Sequence, residues 1–125
     1  VLRMSMLPET AAHLWDALEA ARAARDFTEG IVYHEFTGDL MRRSAVERQL
    51  EVLGEALNRI RRVDSETSQR IPGLAQIVGM RNIIAHDYGS IDCRLVWEAA
   101  TTRVPDLVAV LALLLDEVSP DPVAE

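Results

Sequence analysis

The chain has 125 residues, 49% of them hydrophobic and 26% charged, and carries a formal charge of −7 from 20 acids against 13 bases. That length suits one domain able to bury roughly two-thirds of its unfolded surface, and the composition is too apolar for disorder. The acidic balance argues against a general nucleic-acid coat, which needs many basic contacts to phosphates, but leaves room for a local basic site.

Alanine and leucine supply 31 residues, and most glycine and proline falls between apolar-periodic stretches, so the expected class is all-α. The first helix is predicted from about Leu7 to Phe27, with Pro8 and Glu9 suited to its first turn. Its inner stripe reads Leu7, Ala11, Leu14, Trp15, Leu18 and Ala21. Ile31 to Gly38 is an irregular or single-turn connector carrying Tyr33 and Phe36.

A second helix is predicted from about Asp39 to Val63, with Leu40, Val46, Leu50, Leu53, Leu57 and Ile60 facing inward. The polar stretch Asp64 to Pro72 is expected to be a loop. A third helix starts near Pro72-Gly73, carries Leu74, Ile77, Val78, Ile83 and Ile84, and stops between His86 and Gly89. Ser90 or Asp92 can cap a fourth helix, which Pro105 should kink or divide into a fourth and a fifth. Ser119-Pro120-Asp121-Pro122 stops the structure. Antiparallel helices on short loops pack as a bundle, here of four to five helices.

The single cysteine, Cys93, excludes an internal disulfide and a Cys-rich zinc site. The longest unbroken apolar run, Leu107 to Leu115, is far short of the ~20 residues of a membrane span. Val1-Leu2-Arg3-Met4 shows none of the features of a signal peptide, so a cytoplasmic protein without membrane association is expected. His13 and His34 lack partners at metal-ligand spacing, and no metal or other cofactor is expected. All 13 basic residues are arginine, which suits planar, two-pronged phosphate contacts and equally reflects a GC-rich genome.

The informative segment is Met80-Arg81-Asn82-Ile83-Ile84-Ala85-His86-Asp87-Tyr88, with the pattern R-x4-H-x-Y. At about 100° per residue, Asn82 and His86 are neighbours one turn apart, and the long Arg81 side chain can swing toward them. Ile83 and Ile84 are expected on the opposite, buried side.

A polar arc of this kind suits phosphodiester cleavage. A neutral imidazole, with a free pKa of ~6.5, can take the proton of a ribose 2′-hydroxyl. A guanidinium can stabilise charge building on the phosphorus oxygens. Asn82 can hold the imidazole tautomer or contact a nonbridging oxygen. The leaving 5′-oxygen needs an acid, which one histidine cannot also supply; a second copy of the chain would. The opposing reading is structural: His86 and Tyr88 close a helix end while Arg81 pairs with a carboxylate such as Asp87. Gly54, costly inside a helix, suggests close approach of another helix. Glu55 beside it can then reach and orient Arg81, or pair with Arg59 at i+4.

The R-x4-H-x-Y segment, the preceding Ile71-Pro72-Gly73 and Ile77-Val78-Gly79-Met80, and the following Ile91-Asp92 and Val96-Trp97 resemble the HepT-like toxins of the HEPN ribonuclease superfamily. A second block, Ala45-Val46-Glu47-Arg48-Gln49-Leu50-Glu51-Val52-Leu53-Gly54-Glu55-Ala56, is similar to the family's second-helix signature, and the Phe36 to Asp39 stretch fits it. The resemblance spans roughly residues 10–116.

The resemblance implies a dimerising helical bundle with a composite site at the dimer cleft, Arg81 and His86 as its ribonuclease pair, and Asn82 as the accompanying polar residue. It also implies an RNA substrate, with tRNA used by some relatives. Tyr88 matches the tyrosine to which an MntA-type nucleotidyltransferase antitoxin transfers AMP in several members. Bulk and charge added there would compete with RNA phosphate for Arg81. The expected function is a metal-independent endoribonuclease toxin of a type VII-like toxin–antitoxin system. The alternative is a non-catalytic helical subunit partnering a nucleotidyltransferase, since fold alone does not separate the two.

Overall fold

The computed structural model describes residues 8–86 and 92–118, the side chains of residues 85 and 86 excepted. Four long helical stretches carry the architecture: α1 (Pro8–Thr28), α3 (Leu40–Val63), α5 (Leu74–His86) and a last stretch built from α6 (Cys93–Glu98), a π-helical turn (Ala99–Arg103) and α7 (Val104–Val118). Two single-turn helices, α2 (Tyr33–Thr37) and α4 (Ser65–Ser68), lie in the connections. All regular structure among the described residues is helical. The fold is an all-α, HEPN-like bundle.

Polar contacts at the helix ends define the directions. The Thr10 hydroxyl at the start of α1 donates to Asp64 at the end of α3 (3.2 Å), and Arg42 near the start of α3 donates to the Phe27 carbonyl near the end of α1 (2.6 Å). These two helices are therefore antiparallel. Arg70, ahead of α5, binds Glu117 near the end of α7 through two nitrogens at 3.0 and 2.7 Å, so α7 finishes at the end of the bundle where α5 begins. The extensive interfaces are α1 with α3, α3 with α5, and α1 with α7.

The core lies between these faces. Buried Ala17, Ala20, Ala21 and Ala24 let α1 approach its neighbours closely, and Leu14 and Leu18 fill the same side. They meet Val46, Leu50, Leu53, Leu57 and Ile60 from α3 and Leu107, Leu111 and Leu114 from α7. Trp97 packs on Phe36 (ring centroids 5.2 Å apart) and edge-on to Tyr33 (5.9 Å), which pins the α2 connector to α6.

Three predicted core positions are corrected. Trp15, Leu40 and Ile83 are 54%, 67% and 46% exposed. Each lies close in sequence to a buried stripe, but on a face that the neighbouring helices leave open. Ala11, also assigned to the inner stripe, is only partly covered, and Leu7 lies outside the described residues. The remaining assigned residues of α3 and α5, Ile84 among them, are buried.

The segment predicted as a loop after α3 contains the helical turn α4. Asp64 ends α3 and caps this turn, its carboxylate accepting from the Thr67 amide (3.0 Å) and hydroxyl (2.7 Å). A side-chain oxygen satisfying the free N–H groups of a first turn is the usual reason such a turn forms. Gly73 follows at φ +80°, a left-handed conformation that a Cβ would strain, and α5 begins at the next residue.

Asp92 is the cap of α6, accepting from the Arg94 amide at 2.8 Å, while Ser90 lies outside the described residues. The expected division at Pro105 is seen: α7 begins at Val104, with Pro105 in its first turn. A π-helical turn precedes it, with the Val104 N–H donating to the Ala99 carbonyl five residues back. The wider turn absorbs the missing donor and the ring's need for space, so the chain stays helical from Cys93 to Val118. The predicted stop at Ser119 to Pro122 lies outside the described residues. No helix among the described residues is long and apolar enough to cross a membrane.

Candidate active site

The site is built where α5 crosses α3. Gly54 faces α5: a Cβ there would stand 2.4 Å from the Arg81 Cβ and 3.2 Å from the Ile77 carbonyl oxygen. Only a residue without a side chain admits this approach, which explains a glycine inside a long helix despite its cost of about 1 kcal/mol. With the backbones so close, the residue after Gly54 reaches across. The Glu55 carboxylate accepts a hydrogen bond from Arg81 Nη2 through Oε1.

The same carboxylate serves a second arginine. Arg59, one turn further along α3, donates from Nε to Glu55 Oε2 at 3.2 Å. The two partners that sequence spacing offers as alternatives are thus engaged together. On the other side, Arg81 Nη1 donates to Asn82 Oδ1 at 2.6 Å. A continuous polar chain, Arg59–Glu55–Arg81–Asn82, links α3 to α5. Asn82 turns its carbonyl to the guanidinium, so its amide N–H groups are the end left for other contacts.

The Arg81 guanidinium, hydrogen-bonded to Glu55, holds this carboxyl below the usual range; partial burial opposes the shift, and the charges of Arg81 and Arg59 add to it. Glu55 is therefore an anion at neutral pH. Arg81 is 24% exposed, anchored yet still open to solvent.

It stands at the edge of an open groove of about 760 Å³ between α1 and α3. Asp16 and Glu19 of α1 line this groove together with Arg48, Glu51, Glu55 and Arg59 of α3. Further along α3, burial pushes the Glu47 carboxyl up, against the pull of the Arg43 charge. Arg43 turns toward α6, its Nη1 lying 3.6 Å from Cys93 Sγ.

His86 is the last residue of α5, one helical turn beyond Asn82. Its side chain, and Asp87 and Tyr88 with it, lie outside the described residues. The structure therefore brings together Arg81, Asn82 and Glu55 of the residues singled out from sequence. Arg59 is added to them as a full member of the network. Its signal in the sequence is the i, i+4 spacing to Glu55, although spacing alone does not show that Glu55 has two partners. Among the described residues, no group of three or more His, Cys, Asp or Glu side chains is gathered in a manner suited to a metal ion.

Comparison with known proteins identifies the family. The family model described as Ribonuclease HepT-like matches residues 17–114, which takes in α3, α5 and the whole polar chain. The chain belongs to the HepT-like ribonuclease family. Among its HepT-like relatives is a protein of Methanocaldococcus jannaschii provisionally named an RNase, 38% identical over 98 residues, or 77% of this chain and 87% of the relative. A second RNase-named protein of that organism is 35% identical, covering 77% of this chain and 78% of its own length. A protein of Thermococcus cleftensis provisionally named ribonuclease HepT is 30% identical, over 76% of this chain and 86% of the relative. No solved structure matches. Ribonuclease activity is the family-level function of this HepT-like chain.

Proposed function

We propose that the protein is a metal-independent endoribonuclease toxin that cleaves RNA, tRNA included, at a composite site between two copies of the chain. His86 of one subunit takes the proton of the ribose 2′-hydroxyl, and the 2′-oxygen attacks the adjacent phosphorus. Arg81 neutralises the charge that gathers on the nonbridging oxygens, and an Asn82 amide N–H donates to one of them. The P–O5′ bond breaks as the protonated His86 of the second copy gives its proton to the leaving oxygen. The products are a 2′,3′-cyclic phosphate and a free 5′-hydroxyl. Imidazole and guanidinium together supply base, acid and charge compensation, so the step needs no Lewis acid.

The observation that carries this reading is the anchored Arg81. Its guanidinium is clamped from α3 and from Asn82, remains open to solvent, and shares one helix with His86. Membership of the HepT-like family supports the same assignment. The natural inhibitor is an MntA-like nucleotidyltransferase antitoxin that transfers AMP to Tyr88, placing a phosphate where it competes with RNA for Arg81.

The test is cleavage of cellular RNA by purified dimer, free of partner and unmodified at Tyr88, in the presence of EDTA. Expected are 2′,3′-cyclic ends and loss of cleavage in His86→Ala. Equal growth inhibition by wild type and His86→Ala would instead indicate a non-catalytic subunit of a nucleotidyltransferase pair. A mass increase of one AMP on co-expression with that partner, absent in Tyr88→Phe, tests the inhibition.

A further inference from the structure

We infer that Arg59 is a positioning residue for the ribonuclease site, acting through Glu55 to orient Arg81 and to keep its positive charge available to substrate. The inference rests on the ribonuclease reading above and concerns a side chain that does not itself touch the reacting atoms.

Two features carry it. The first is geometric. A glutamate held at one oxygen can still turn about its last torsion, which is broad in energy. Here both oxygens are taken from opposite sides, Oε1 by Arg81 and Oε2 by Arg59 at 3.2 Å, so the plane of the carboxylate is set. A fixed carboxylate fixes the guanidinium bonded to it, and the Asn82 contact at 2.6 Å completes the clamp. The second is charge. A guanidinium paired one to one with a carboxylate is largely neutralised and gains little from a phosphate. Two guanidinium groups on one carboxylate leave this three-residue cluster with a net positive charge. Arg59 thus offsets the anion that Arg81 needs as an anchor.

The Arg59–Glu55 pair contributes little to the fold. It is an i, i+4 pair whose arginine is 52% exposed, a class of contact that stabilises helices only marginally. The other charged groups lining the groove with Glu55 are Asp16 and Glu19 of α1, Arg48 and Glu51 of α3, and Arg81 of α5, three acids against two bases. Loss of Arg59 would therefore leave Glu55 in a more anionic neighbourhood, and its proton affinity would rise.

The experiment compares wild type with Arg59→Ala and Arg59→Lys, using Arg62→Ala as an exposed-arginine control. Carboxyl carbon NMR follows the Glu55 titration, and steady-state cleavage of a short RNA is measured across pH and salt. In Arg59→Ala, kcat should fall by about 10-fold with KM within about twofold of wild type. The Glu55 midpoint should move upward, and Arg59→Lys should recover most of that shift and of kcat. A Glu55 midpoint that does not move overturns the inference whether or not RNA is cleaved. A raised KM with a shallower salt dependence also overturns it, because Arg59 would then be an RNA-backbone contact. Absence of cleavage in wild type would strike the ribonuclease reading, and the Glu55 titration would still decide the coupling.

Discussion

Glu55 and Arg81, 26 residues apart in the chain, are joined by an ion pair across the α3–α5 contact, and the residue that makes it possible is the glycine beside Glu55. Gly54 removes the side chain that would hold the helices apart, and Glu55 uses the proximity. The pair is partly buried, so separating its members leaves a charge with reduced access to water.

Gly54→Ala tests the seat. The added methyl meets Arg81 Cβ and a backbone carbonyl, neither of which is the free end of a flexible side chain. Overpacking of this kind costs about 1–3 kcal/mol, and the better helix propensity of alanine returns at most ~1. Net destabilisation is expected by urea unfolding, together with a loss of RNA cleavage that exceeds the fraction of protein unfolded. Unchanged stability and activity would show that the helices can part freely.

Glu55→Gln tests the anchor, with a defined pH dependence. Arg81 holds the folded-state carboxyl below its ordinary value of 4.5, so the native state favours the anion. The stability that Glu55 contributes is then fully present above the unfolded-state value and is lost as pH falls through the lower folded-state value. The difference in unfolding free energy between wild type and Glu55→Gln should be level at neutral pH and shrink below about pH 4.5. A difference that grows with acidification would contradict the pair.

His86→Ala should lower cleavage by about 10²–10⁴-fold at neutral pH, the range that removal of a general acid–base residue produces. Helix content should remain close to wild type, since this residue is the last of α5 and alanine favours helix. The measurement is cleavage in EDTA paired with circular dichroism. Retention of wild-type turnover by the folded variant would remove the imidazole from the mechanism.

Asp64→Ala should destabilise the bundle by about 1–2 kcal/mol in urea unfolding, the usual cost of losing a helix cap. Burial pushes the Asp64 carboxyl up, but hydrogen bonds from the Thr67 amide and hydroxyl and from the Thr10 hydroxyl outweigh it and hold the group lower. Asn, which keeps one acceptor, should recover part of the loss. An Asp64→Ala variant as stable as wild type would mean that α4 and its tie to α1 form without the cap.

The helices themselves were legible from spacing because they follow local rules. Apolar residues at steps of three and four, Asp92 as a cap, and Pro72-Gly73 ahead of α5 all act within a turn or two of where they stand. The R-x4-H-x-Y and Gly-Glu-Ala blocks were legible for the same reason, as short strings whose chemistry is carried by residue type and interval. Periodicity did not reveal the width of each buried face. Trp15, Leu40 and Ile83 were assigned inward yet are largely exposed, because burial depends on which faces the neighbouring helices cover. Nor did it show how Pro105 would be accommodated, since a π-helical turn is chosen by the packing on both sides of it.

By itself the sequence determined the helical segments, the glycine that suggests a crossing, and the cationic, amide and imidazole groups available for chemistry. Only the tertiary structure decided that Glu55 serves Arg59 and Arg81 at once. The first contact lies one turn away on the same helix, while the second spans 26 residues and exists only because α3 and α5 meet at Gly54. Local spacing fixes which side chains share a helix face; which of them share a proton acceptor depends on the distance between helices, and that is set by the packing of the whole bundle.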